Sequence, residues 1–306
     1  MLEQRTQLAA EIESVEGTAE TLVAADAILH ANGKFKGDIA MHQRPMRSSS
    51  LSPFSAVPGS RFGEIEFDVE LKGSGAAGTP PEFGDLLKAC GFQETIAAGT
   101  SVTYTPASDS IPTLTMALYE DGIINKIWGA RGDVKLALNS GEPAWLHFAF
   151  KGADFSVADG SFLSGVSYLS TVAPAFLNAL MTIDSYSAMV GKIDIGMGNK
   201  VGLRPDANQS SGHKTALISS RQPVMSFDPE KALVATYDFY GKLRSGNEAA
   251  FTAQIGATAG NICTITQPKV QCTKIDEAAR DGLRNLGIDC QLNRSSGDDE
   301  ISLAFT

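Results

Sequence analysis

Hydrophobic and polar residues alternate along four short runs of the chain, at residues 113–118, 123–128, 132–138 and 144–150. A period of two places every second side chain on one face of a strand, so each run predicts a strand with one buried face. The dipeptide Asp121-Gly122 suits a tight hairpin turn because glycine accepts a positive φ. The pattern predicts an antiparallel meander, around which we expect the rest of the chain to be organised.

The same alternation occurs upstream, at residues 62–71. Apolar and acidic side chains alternate there, which predicts a half-buried strand with an acidic face. The acidic positions are Glu64, Glu66, Asp68 and Glu70. Residues 81–90 have apolar side chains at helical spacing, with proline near the start and Gly91 just past the end, and they predict one short helix on the sheet.

The N-terminal part of the chain has a weaker pattern. Residues 1–21 are polar and predict a loose helix. Strand-like pieces follow at 27–30 and 34–39. Residues 42–60 are rich in serine, proline and arginine, and a loop of that length predicts either disorder or a contact role.

The second half of the chain repeats part of the first at a shift of 160 positions. The matching positions are Arg44-Pro45 with Arg204-Pro205, Ser50 with Ser210, Ser60-Arg61 with Ser220-Arg221, Phe67-Asp68 with Phe227-Asp228, and Glu70 with Glu230. Farther on, the register drifts away from this shift, and residues 253–265 can stand for the meander's hairpin and 287–292 for its last strand. The identities are few, so a structural duplication and a chance match are both open. We predict one domain at 1–152 with an N-terminal arm, a Gly/Ser/Ala-rich linker at 153–170, and a second domain at 171–306 with a C-terminal arm.

Composition and charge restrict the function. The 306 residues are 43% hydrophobic, which suffices for real cores, and carry a net charge of −10. A chain this acidic does not wrap DNA by neutralising phosphates, although it can lie near DNA without holding it.

The first 30 residues do not form a signal peptide and no window approaches a membrane span, so we expect synthesis in a cytoplasm and no membrane insertion.

Known catalytic and cofactor motifs do not give a coherent site. The four cysteines and four histidines are scattered, which predicts packing roles rather than a metal site. Residues 73–78 match G-x-G-x-x-G, but prolines follow where a dinucleotide site needs a helix to begin. His147 is alone in its strand. The sequence predicts no enzyme, no cofactor and no metal.

Strands with exposed acidic faces predict open sheets that need partners. Natural chains blunt unpaired sheet edges or pair them with another subunit. Copies joined edge to edge would close into a large barrel, and a high strand number leaves a channel. An acidic lining would repel phosphate and let DNA slide through.

Several segments, in their order along the chain, resemble the major tail tube proteins of long-tailed bacteriophages with flexible, non-contractile tails. The resemblance covers residues 11–152 well and the remainder weakly. The segments that carry it are Glu16-Gly17-Thr18, Ala25-Asp26-Ala27-Ile28, the Arg44-Pro45 loop, residues 62–75 and residues 81–92.

The resemblance implies a mainly β fold with two tandem tail-tube-like β-sandwich domains, each flanked by a short helix. It implies a structural virion protein that assembles in the host cytoplasm into the stacked rings of the tail, around an acidic channel for phage DNA. Its partners would be other copies of itself, the tape measure protein, the tail terminator and distal tail proteins, and DNA bound without sequence specificity. The predicted inter-ring loop residues are Arg44, Pro45, Arg47, Ser50, Arg204 and Pro205; the predicted lumen-facing acids are Glu64, Glu66, Asp68, Glu70, Asp228 and Glu230.

Two symmetries and two other functions stay open. If the second half is also a tube domain, three copies give a pseudo-sixfold ring, which the repeat favours; if it decorates the exterior, rings need six. A carbohydrate-binding β-sandwich would use exposed aromatics, with Trp128 and Trp145 as the candidates. A nucleotide-dependent enzyme would rest on residues 73–78.

Overall fold

A computed structural model describes residue 2 and residues 4–306 of the chain. The fold is mainly β, with 51% of residues in strands and 5% in helices. All strand pairs are antiparallel. The strands are β1 (Thr6–Ile12), β2 (Ala27–Ile28), β3 (Ala31–His42), β4 (Val57–Glu70), β5 (Phe92–Ala97), β6 (Ser101–Pro106), β7 (Leu114–Glu120), β8 (Ile123–Asn139), β9 (Trp145–Gly152), β10 (Asp154–Asp159), β11 (Thr182–Ile183), β12 (Val190–Gly196), β13 (Val201–Pro205), β14 (His213–Ile218), β15 (Val224–Pro229), β16 (Glu248–Ile255), β17 (Cys263–Arg280), β18 (Leu283–Leu292) and β19 (Ser302–Phe305). The α-helices are α1 (Gly84–Ala89) and α2 (Phe239–Ser245), and Ala24–Asp26 form a 3-10 turn.

Eight strands form one continuous sheet, which we call the long sheet. Its order is β3-β4-β9-β8-β12-β15-β18-β17. The first four strands come from the first half of the chain and the last four from the second half. The halves join where Lys192–Gly196 of β12 pair with Lys135–Asn139 of β8. The two halves of the chain therefore share backbone hydrogen bonds.

The order of strand pairing occurs twice along the long sheet. The set β3-β4-β9-β8 is followed by β12-β15-β18-β17, and in each set a short helix follows the second strand. Phe67 lies opposite Phe148 in the first set, and Phe227 lies opposite Ile288 in the second. Phe67 and Phe227 are the residues that the 160-position shift had matched. The twofold pattern in the sequence thus corresponds to a twofold pattern of pairing.

One face of the long sheet is apolar and packs against a second layer of strands. In the first half that layer contains β1, β7, β10 and the N-terminal part of β8, and in the second half β11, β16, β19 and the N-terminal part of β17. Phe67, Phe148 and Phe150 stack with ring centroids 5.5 to 6.0 Å apart. A single cluster of buried apolar residues spans both halves.

Several sequence predictions are confirmed within a few residues. The strand predicted at 62–71 is the C-terminal part of β4, and the helix predicted at 81–90 contains α1. The hairpin turn at Asp121-Gly122 joins β7 to β8, and both residues have positive φ. The turn near residue 260 joins β16 to β17.

Other predictions were wrong. Residues 1–21 were predicted as a loose helix, but Thr6–Ile12 form β1 between β2 and β7. Its Leu8, Ala9 and Ala10 are all buried, so the alternation that marks a half-exposed strand is absent. The runs 123–128 and 132–138 were predicted as separate strands, but they form the single strand β8, which passes Gly129 with a φ of +60°. The predicted domain boundaries stay a prediction, and within the predicted linker Asp154–Asp159 form β10, which pairs with β8.

Candidate functional site

The face of the long sheet opposite the core is polar and crosses both halves of the chain. Its carboxylates and basic side chains lie at alternate positions of every strand, because the intervening positions face the core. The acidic members are Glu64, Glu66, Asp68, Glu70, Asp133, Asp194, Asp228, Asp276 and Asp289, and the basic members are Lys34, Lys36, Lys135, Lys151, Lys192, Lys274 and Arg280. A groove of about 640 Å³ lies over the junction between the halves, lined among others by His147, Lys135 and Asp194.

The predicted acidic side chains of β4 lie on this polar face, but they have cationic neighbours. Glu64 pairs with Lys36 at 3.3 Å and with Lys151 at 3.0 Å. Partial burial alone would raise the pKa of Glu64, but the hydrogen bonds from the two lysines outweigh it and lower the pKa. Asp68 lies 2.5 Å from His147 Nδ1. The first half of the polar face therefore carries mixed charge.

The remaining predicted acids have different surroundings. Glu66 is exposed and Glu70 is half-buried, and both lie on the polar face. Asp228 forms an ion pair with Arg280 and accepts hydrogen bonds from two backbone amides of β12. Glu230 follows directly after β15 and bridges to Asn285. The sequence identified the acidic positions but missed most of the lysines beside them, because those lie on strands far away in sequence.

The first predicted loop is the tip of a long hairpin. Strands β3 and β4 remain paired as far as His42 and Val57, and residues 43–56 connect them. We call residues 43–56 the first arm. All four of its predicted contact residues, Arg44, Pro45, Arg47 and Ser50, are exposed. So are Met46, Leu51 and Phe54, and the guanidinium of Arg44 lies 5.7 Å from the Phe54 ring centre. An exposed apolar group of this kind is typical of a contact surface.

The second predicted loop has a different conformation. Arg204 and Pro205 end β13, which forms a two-stranded hairpin with β14. We call this hairpin and its turn, residues 201–218, the second arm. The Arg61 amide donates to the carbonyl of Ser211 at 3.0 Å, and Arg131 Nη1 donates to the carbonyl of Ala216 at 2.5 Å. The second arm therefore lies against the first half of the chain, although Arg204 and Pro205 remain exposed.

The bases of the two arms use matching arginines. Arg61 pairs with Asp154 at the start of β10, at 2.7 Å. Its counterpart at the 160-position shift, Arg221, pairs with Glu300 just before β19, at 3.1 Å, and also with Asp298. The two arginines that the 160-position shift matches, Arg61 and Arg221, therefore each form an ion pair at the base of an arm.

Both ends of the long sheet are open edges. Strand β3 pairs only with β4 among the described residues. At the other end, residues 274–280 of β17 pair only with β18 in the same described part of the chain. The sequence predicted open edges in general, but it could not say which strands they are, because strand order depends on contacts distant in sequence.

The glycine-rich motif at residues 73–78 packs against the second half. The Gly75 amide donates to the Gly260 carbonyl at 2.9 Å, and a Cβ on Gly73 would lie 2.1 Å from that oxygen. The close approach of two loops explains these glycines. Helix α1 begins only at Gly84, away from the motif. Trp145 is the first residue of β9. Trp128 lies in the part of β8 that pairs with β10, opposite Asp154, and so does not lie on the polar face.

Comparisons with protein-family models and with curated proteins found no match. Among the described residues, helices are too short to cross a bilayer. The described part of the chain also contains no group of three or more His, Cys, Asp or Glu arranged to hold a metal ion. The polar face, the arms and the open edges are the surfaces on which we base a function.

Proposed function

We propose that the protein is a structural subunit of a phage-type tail tube, in which copies join through the edges of the long sheet into stacked rings. The observation that carries the proposal is the long sheet itself, with its two equally ordered sets of four strands and an open edge at each end. The two ends of such a sheet can pair head to tail between copies, and a head-to-tail contact whose rotation closes gives a ring. The resemblance of the sequence to tail tube proteins supports the same function.

The duplicated pairing order favours rings of three copies. In this proposal, each set of four strands with its second layer and helix is one tandem tube-like domain. Two domains per copy then give six comparable wedges per ring. If the second half instead decorated the outside of the tube, it would not need the strand order of the first half. It would also not need to share a sheet with the first half.

The polar face lines the channel in this proposal. Charge of both signs lies on it, and the chain as a whole is acidic, so phosphates meet no continuous basic track. Counterion release, which holds DNA on basic proteins, would be small. DNA would therefore pass without being retained or read.

The first arm is the proposed contact between successive rings. Its exposed apolar side chains would be covered by the neighbouring ring, which accounts for an apolar group on a projecting hairpin. The tube would end on the tail terminator and distal tail proteins, with the tape measure protein inside, in the tail of the virion.

Electron microscopy of the purified chain tests the proposal directly. We expect concentration-dependent rings or tubes, with three copies per ring by mass. Deleting residues 48–55 should leave rings intact and shorten or abolish tubes, because only stacking uses the first arm. A chain that stays a single particle at every concentration, and that is absent from isolated tails, would contradict the proposal.

Charge reversal tests the placement of the polar face. Replacing Glu64, Glu66 and Asp68 by lysine should impair DNA delivery more than ring assembly, since a basic track would then retain phosphate. The same number of lysines introduced in the exposed first arm serves as the control. Normal delivery through tubes built from the polar-face variant would exclude this face from the channel.

A further inference from the structure

The junction between β8 and β12 is a template for the contact between two copies. In this junction Asp194 lies opposite Ala137, and Gly196 lies opposite Lys135. It joins the last strand of the first set to the first strand of the second set. If the sets are equivalent, the same junction can form between the last strand of one copy, β17, and the first strand of the next copy, β3.

The pairing partners fix which positions of β3 and β12 are equivalent. Lys34 lies opposite Glu66, and Asp194 lies opposite Ser226. Glu66 and Ser226 are 160 positions apart, as are Lys34 and Asp194. Each of the two strands also has a register irregularity just before this position.

The same reasoning relates β8 to β17. Phe148 and Ile288 are equivalent because they lie opposite Phe67 and Phe227. Val134 lies opposite Phe148, and Ile275 lies opposite Ile288. Stepping along the strands from there, Lys135 corresponds to Asp276 and Ala137 to Ala278.

We propose that residues 274–280 of β17 pair antiparallel with β3 of the next copy, with Asp276 opposite Lys36 and Ala278 opposite Lys34. This register is the β8–β12 register carried onto the equivalent residues, and it rests on the proposed ring function. Both strands continue past the length of the internal junction, which places Lys274 opposite Asp38.

The side chains on the polar side fit this register. Lys36 would face Asp276, and Asp38 would face Lys274, so opposite charges meet at both positions. Directly opposed charges of unlike sign stabilise a strand pair, and like charges destabilise it. Asp276, Lys274 and Lys36 are exposed in the single chain and therefore accessible to a neighbour.

The side chains on the core side also fit. Ile275 would lie across from Gly37, which the ring of Phe155 covers, so Ile275 would meet that ring. Glu277 takes the place that Leu136 has in the internal junction, and it pairs with Lys231 in the same copy. A charged residue on an open edge opposes unspecific pairing with other strands. The outer edge is thus less apolar than the inner junction, as expected of an edge exposed before assembly.

Disulfide trapping tests the register. The variant with Lys36→Cys and Asp276→Cys should form covalent dimers and trimers when assembled rings are oxidised, because facing strand residues are close enough for a disulfide. The control combines Lys34→Cys with Asp276→Cys, whose cysteines would be two positions out of register and too far apart. Wild-type protein, with its four native cysteines, is oxidised in parallel.

Charge exchange gives a second measurement that does not depend on cysteine chemistry. Lys36→Asp alone should raise the concentration needed for half-maximal assembly by roughly fivefold, because it places two carboxylates face to face. Adding Asp276→Lys should restore assembly, whereas adding Lys274→Asp should not.

The outcomes separate this register from the tube function. Trapping in the 36/276 variant but not in the 34/276 variant supports the register. Rings that form normally but trap both pairs equally, or neither, overturn the register and leave the tube function standing. A wild-type chain that never assembles overturns both.

Discussion

The two arms of the molecule start from matching positions and end in different places. The first arm, residues 43–56, projects beyond the sheet with Met46, Leu51 and Phe54 exposed. The second arm, residues 201–218, lies against the first half through hydrogen bonds at Arg61 and Arg131. The strands beneath the arms pair in the same order. The sheet is therefore the repeated part, and the arms are where the two halves differ in conformation.

The largest expected effects test the repeated part. Phe67→Ala and its counterpart Phe227→Ala should each destabilise the protein by roughly 3–5 kcal/mol, since both rings are almost fully buried and truncation leaves a cavity. Because one apolar cluster spans both halves, both variants should lower the midpoint of a single unfolding transition. Calorimetry checks this. Two separate transitions, each moved by only one of the variants, would show that the halves fold independently.

The next effects concern the bases of the arms. Arg221→Ala should cost roughly 2–4 kcal/mol, because the arginine side chain is 15% exposed and its loss leaves Glu300 without its cation. Arg61→Ala should cost less, about 1–2 kcal/mol, because that arginine is 35% exposed, although its loss leaves the Asp154 carboxylate, whose side chain is 8% exposed, without its cation. Denaturant unfolding measures both, and Arg204→Ala on the exposed end of β13 is the control. If Arg61→Ala and Arg204→Ala lower the free energy of unfolding equally, the ion pair at the base of the first arm contributes nothing to stability.

Shortening the arms should separate their roles. Removing residues 48–55 should change the free energy of unfolding by less than about 0.5 kcal/mol, since these side chains make few contacts within the chain. Replacing residues 206–211 by a glycine-serine linker of equal length should cost about 1–2 kcal/mol, because it loosens the second arm from the first half. Thermal unfolding compares the two. If deleting residues 48–55 destabilised the protein as much as replacing residues 206–211, the first arm would be packed against the rest of the chain.

The smallest expected effect is on pH dependence. Burial lowers the pKa of His30, and a backbone hydrogen bond at Ile28 opposes this in part. The unfolded chain therefore binds a proton more readily, and stability falls as the pH drops through about 6.5 toward the folded-state pKa. His30→Gln should flatten this part of the stability profile. An unchanged slope in the His30 variant would contradict the assignment.

The sequence predicted what depends on local pattern and missed what depends on distant contacts. Alternation located β4, β9 and most of β8, and the glycine after residue 90 marked the end of α1. It failed for β1, whose residues are buried on both sides, and for the second arm, whose conformation depends on the first half. The lysines beside Glu64 could not be placed because β3 and β9 become its neighbours only in the folded sheet. The repeat at 160 positions was the sequence pattern that related residues lying far apart in the chain.

In the proposed assembly, the long sheet of one copy continues into the next. A reconstruction of the assembled ring by electron cryo-microscopy measures this most directly. We predict three copies per ring, with β17 of each copy hydrogen-bonded to β3 of its neighbour along an unbroken sheet. A ring in which residues 274–280 face solvent would contradict this continuity, and a ring of six copies would contradict the predicted copy number.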